Sequence, residues 1–190
     1  MRRSFLQVRL CESRQSGETA PVTDDIDAAC RRALGFLELD MPEDALAELD
    51  ELPAGNSTAL HLRVDALFRL KDWPAAAAIC LPMTVEEPSD PGWWIQAAYA
   101  QRRARSVEEA EAILLTGLNC HPAHAMILYN LACYACVQNR IDDARDYFRR
   151  SAATNPEQML IMGASDPDLE RIRPWLLELQ ANHHRQKTAS

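Results

Sequence analysis

Cys133 and Cys136 stand in a Cys-x-x-Cys spacing, with Cys120, His121 and His124 shortly before them. These are the donor types of a zinc or redox site. A zinc ribbon needs a second close pair on a turn, and the sequence has none. A redox Cys-x-x-Cys opens a helix, where the dipole lowers a thiol pKa. This pair falls near the end of a predicted helix over 125–137. The two cysteines therefore read as small core residues, and a thiol or zinc site built on Cys120, Cys133 and Cys136 is the lesser alternative. The other cysteines are Cys11, Cys30 and Cys80, and free thiols are expected throughout.

Other chemistry finds little support. There is no Gly-rich phosphate loop, no Gly-x-Ser-x-Gly and no His-Glu-x-x-His. The pairs Glu86-Glu87, Glu108-Glu109 and Asp142-Asp143 fall near helix starts or in loops, where they complement helix dipoles. Arg102, Arg103 and Arg105 form one local basic cluster, read as a solvated helix end or as a preference for an acidic segment. A net charge of −8 and a pI near 5.1 argue against nucleic acid, which needs clustered cations. No catalytic residue, no cofactor and no metal are expected, so the chain does not read as an enzyme.

The elements that position these residues follow a fixed period. Ala76, Ala110 and Ala144 recur every 34 residues, as do Leu60, Trp94 and Leu128, and Pro88, Pro122 and Pro156. A period of that size marks stacked supersecondary units, none of which buries its apolar face alone. Ala-rich, Gly-poor sequence favours close-packed helices, and no window alternates with period two. Helices are predicted at about 24–39, 43–52, 59–70, 74–83, 92–104, 107–118, 125–137 and 141–154. Asp24 or Asp25 is the expected first cap, and Pro82 and Pro88 are expected to end the fourth helix.

Residues 1–22 read as a flexible tail, in which Gln7 and Arg9 interrupt Phe5, Leu6, Val8 and Leu10. That break leaves no unbroken secretory stretch of roughly 7–15 apolar residues, and no run reaches the roughly 18 of a membrane span. A soluble, cytoplasmic protein with no membrane partner is the expectation. Repeats are placed at 24–56, 57–90, 91–124 and 125–158, within a region 23–158. A segment over 159–182 is expected to cap the last apolar face, as solenoid ends require. Met159–Met162 suggests one more turn, Asp166-Pro167-Asp168 a helix start, Pro174 a bend or break in that helix, and 183–190 a frayed tail.

One pattern fits the fourth unit best: Leu128, Leu131-Ala132, Ala144, Phe148 and Pro156. The third gives Trp94, Ala97-Ala98, Ala110, Leu114 and Pro122. The second gives Leu60, Val64, Ala76, Cys80 and Pro88, with Arg63 where an apolar residue is usual. The first keeps Ala45 and Leu49, but Ala45 to Ala76 is only 31 residues. On these residues the chain resembles the tetratricopeptide repeat (TPR) family.

The resemblance implies an all-α, right-handed helical-repeat solenoid of about four TPR-like helix-turn-helix units with a C-terminal capping helix. It also implies a non-catalytic scaffold whose first helices line a concave groove for a protein or peptide partner. Mapped residue by residue, that groove takes His61, Asp65 and Arg69 from unit two. It takes Ile95, Tyr99, Arg102 and Arg103 from unit three, and Met126, Tyr129, Asn130 and Cys133 from unit four. The family's clamp for a chaperone's C-terminal carboxylate is absent, because Cys30, Leu34, Leu62, Gly92 and Gln96 fall at its places. A small acidic secretion-type chaperone is the alternative within binding. Self-association through the irregular first unit, giving a homo-oligomer, is a further expectation.

Overall fold

A computed structural model describes residues 20–188 apart from 53 and 54, with side-chain surroundings over 25–185. Among these residues the chain forms helices α1 (Ala20–Glu38), α2 (Pro42–Asp50), α3 (Ser57–Leu70), α4 (Trp73–Glu86), α5 (Pro91–Ala104) and α6 (Val107–Cys120). Next come α7 (Ala125–Val137), α8 (Ile141–Ser151), α9 (Pro156–Ser165), a 3-10 segment (Pro167–Ile172) and α10 (Arg173–Thr188). No strand occurs among them. From α1 to α8 each helix packs mainly on its sequence neighbours, the signature of a solenoid, whereas the 3-10 segment returns to pack chiefly on α7.

The repeat columns explain the packing. Ala76, Ala110 and Ala144 are each 0% exposed. They sit where two antiparallel helices cross, and Ala permits the approach without losing helix propensity. Trp94 replaces the usual Leu of its column, and Gly117 makes room: a Cβ there would lie 2.8 Å from the Trp94 ring. Gly163 does the same for Phe148, at 2.6 Å.

Starts and stops are set by local chemistry. Asn56, Asp72, Asp90, Ser106 and Asn155 each accept an early amide of the helix they precede. Asp40, Lys71 and Asn139 adopt positive φ (59°, 61° and 63°) and turn the chain between helices of a pair. Asp40 to Lys71 is the same step of 31 as Ala45 to Ala76, so the first unit is shortened within the array and its helix pair stays in register.

Several sequence expectations need correction. α1 begins at Ala20, so Asp24 and Asp25 lie inside it, and the tail expected over 1–22 falls outside the described residues up to 19. α4 does not end at Pro82 but runs on to Glu86. Pro82 and Ala78, whose carbonyl loses its helical donor, are both exposed, so the lost bond falls on the solvent side. Met159–Met162 belongs to a full helix, α9. Asp166 caps a 3-10 segment, not an α-helix. The single helix expected from Asp166 is divided just before Pro174, into the 3-10 segment and α10, and Pro174 stands in the first turn of α10, where its missing amide costs little. α10 continues through 183–188, where a frayed tail was expected.

Candidate partner-binding groove

The first helices of successive pairs, α3, α5 and α7, carry the residues singled out by their register. The structure sorts them into three groups with different surroundings.

The first group ties α1, α3 and α5 together. The His61 ring stacks on Trp93 at 3.6 Å with an interplanar angle of 11°. Its Nδ1 lies 2.7 Å from Gln96 and its Nε2 lies 3.1 Å from Asp90. His61, with the Gly92 amide, holds the Asp90 carboxyl below its ordinary range, against the opposing effect of burial. Trp93 donates to Glu87 at 3.0 Å, and Ser57 donates to the same oxygen at 2.8 Å. Arg69 donates to the Leu37 carbonyl at 2.6 Å and to Asp65 at 3.3 Å, so both charges are used inside the molecule.

The second group is an aromatic and cationic cluster. Phe68 from α3, Trp73 from the start of α4 and Tyr99 from α5 meet with centroids 4.8 to 5.9 Å apart. The Arg103 guanidinium lies 3.5 Å from the Tyr99 ring centroid and 5.2 Å from that of Trp73. Burial against the rings pushes its pKa below the ordinary value. The three rings are half-buried and Arg103 is exposed, so the cluster presents a surface. Phe68 and Trp73 were not among the residues expected here. Phe68 shares its 34-residue column with Arg102, which is ion-paired, and with Cys136, which is buried, so the period does not mark it as a surface position; Trp73, at the start of a second helix, has no sign of its own either.

The third group is covered by the chain itself. Arg102 grips Asp168 with both terminal nitrogens, one of them at 2.8 Å. Tyr129 donates to Asp166 at 2.8 Å, and the Cys133 thiol points to the same oxygen at 3.7 Å. Arg171 donates to the Cys136 and Val137 carbonyls at 3.0 and 2.8 Å, closing the end of α7. Tyr129 is 4% exposed and Cys133 is 1% exposed, so neither offers a surface in this state. Met126 and Ile95 pack against the same core, and Asn130 donates back within its own helix to the Met126 carbonyl at 2.8 Å.

The thiol reading gains no site. Cys133 and Cys136 are core residues, whereas Cys120 is exposed at the end of α6. Among the described residues the one trio of donors close enough for a metal is Cys133, Asp166 and Asp168. Burial and the two carboxylates push the Cys133 thiol well above its ordinary range, and Arg102 already occupies both Asp168 oxygens. Those donors do not fit a cation.

With the geometry in place, the fold finds relatives among solved structures. A chain comprising residues 41 to the end of MamA from Desulfovibrio magneticus RS-1 superposes with a TM-score of 0.61 at 16% identity, over 85% of this chain and 98% of that one. A double mutant of MamA from RS-1 gives 0.62 at 15% identity, over 89% and 99%. The likeness establishes an all-α, TPR-like helical solenoid. No family profile matches the chain, and no curated protein matches its sequence. No described helix is long and apolar enough to cross a membrane.

Proposed function

We propose that the chain is a non-catalytic protein-interaction scaffold, cytoplasmic in location, whose inner-helix groove takes a segment of a protein partner mainly on its α3–α5 half. One observation supports this reading above the others: Phe68, Trp73, Tyr99 and Arg103 form a half-exposed cluster, while the α7 half is occupied by residues 166–172. Aromatic rings beside an arginine give large contact area with few rotors to freeze, the composition of binding hot spots. Of the residues expected to line the groove, Tyr99 and Arg103 keep that role. His61, Asp65 and Arg69 serve as its frame. Tyr129 and Cys133 hold the internal segment instead.

The test is affinity capture from the native source with wild type and a Tyr99→Ala, Trp73→Ala double variant, read by mass spectrometry after circular dichroism has confirmed the helical fold. A partner retained by wild type and lost by the folded variant supports the groove. An unchanged set of captured proteins sinks it.

A further inference from the structure

We infer that the segment taken by the groove is acidic: one of its carboxylates pairs with Arg103, and an adjoining apolar side chain lies on Phe68, Trp73 and Tyr99. This rests on the groove reading above and names the chemistry of its partner.

The charge pattern is the first argument. The end of α5 carries Arg102, Arg103 and Arg105. Arg102 is neutralised by Asp168, but among the described residues no carboxylate lies within ion-pair distance of Arg103. Its bonds are a 3.3 Å contact to the Tyr99 carbonyl and the two ring contacts. A guanidinium stacked by its face keeps N–H groups at its edge, in the plane where a carboxylate docks. An arriving anion offsets the desolvation that disfavours its charge.

The second argument is a template within the molecule. One residue earlier on the same helical turn, Arg102 already binds a carboxylate from the run Asp166-Pro167-Asp168. The end of α5 therefore already holds one carboxylate, through the arginine that projects about 100° away from Arg103 around the helix. Because the chain carries a net charge of −8, long-range fields oppose acidic ligands, so selection has to come from these local contacts.

The experiment is fluorescence polarisation with two fluorescein-labelled decapeptides. One repeats Asp-Pro-Asp-Leu-Glu, and the other replaces every acid by its amide. The acidic peptide is expected to bind wild type at least tenfold tighter than the amide. Arg103→Gln abolishes the difference and Arg103→Lys restores part of it. Asp168→Asn, by releasing Arg102, tightens the acidic peptide severalfold. Equal binding of the two peptides, or acidic binding unchanged in a folded Arg103→Gln variant, overturns the acidic assignment and leaves the groove standing. Binding of neither peptide overturns it as well, and the capture experiment with Tyr99→Ala and Trp73→Ala then decides the groove separately.

Discussion

Arg102 and Asp168 are 66 residues apart in sequence and joined by a two-pronged ion pair. The pair closes the inner face of α7 by binding the start of the 3-10 segment across it. Their side chains are 23% and 29% exposed, so solvent screens the pair only in part.

Removing that grip has a local signature. Arg102→Ala is expected to lower stability by about 1–2 kcal/mol, since it leaves Asp168 without its charge-assisted bonds. Hydrogen exchange is expected to quicken over 166–172 and the end of α7 while α2–α4 stay protected. Uniform acceleration along the chain would mean the segment does not depend on this pair.

Gly117 and Trp94 form a matched couple. Gly117→Ala adds a Cβ 2.8 Å from the indole and is expected to cost about 1–3 kcal/mol. In a Trp94→Leu background the same change is expected to be neutral or to stabilise by up to about 1 kcal/mol, because Ala then contributes its helix propensity. Urea denaturation of the four proteins measures the coupling. Additive effects would show that the indole yields.

Asp90 links stability to pH. Its folded pKa lies below the unfolded value, chiefly through His61, so the stabilisation is fully present above pH about 4. It is lost as pH falls through the folded value. Asp90→Asn is therefore expected to flatten the acid limb of the stability profile, read as urea midpoints between pH 6 and pH 3. Parallel losses in wild type and variant would rule this linkage out.

The thiols divide by burial. Cys80 is 0% exposed, and desolvation pushes its pKa up to about 12. Cys133 and Cys136 are buried as well, whereas Cys120 is exposed. Under native conditions N-ethylmaleimide is expected to label Cys120 within minutes and to reach these three buried positions only after denaturation. Peptide mapping checks the order. Early labelling of Cys133 would mean that the segment carrying Asp166 lifts away often.

The architecture was legible because a solenoid repeats its packing problem. Every helix crossing needs a small residue at one place, so Ala76, Ala110 and Ala144 print the period into the sequence. Exposure at the regular inner-helix positions was legible only in part. Tyr99 and Arg103 stay on the surface, but Tyr129, at an equally regular position, is buried by Asp166. The repeat carries no sign of that cover, because a carboxylate's tertiary partner 37 residues away leaves no local pattern. Pro82 misled for a related reason: proline breaks a helix where its missing amide is buried, and here it faces solvent.

Burial under that cover makes Tyr129→Ala a stability variant. The ring is 4% exposed and packs 6.1 Å from Phe148, so truncation is expected to lower stability by about 3–5 kcal/mol. A thermal melt within a degree or two of wild type would return Tyr129 to the groove.

The reach from Arg102 to Asp168 has a mechanical meaning. A stack whose helices touch only their neighbours bends like a coil spring, each joint adding its own give. Here one apolar core spans α5 to α10 and the Arg102–Asp168 tie braces it, while α1 to α5 are joined through two smaller cores. Compliance is therefore expected to concentrate in the N-terminal half, with the C-terminal half as the stiffer anchor.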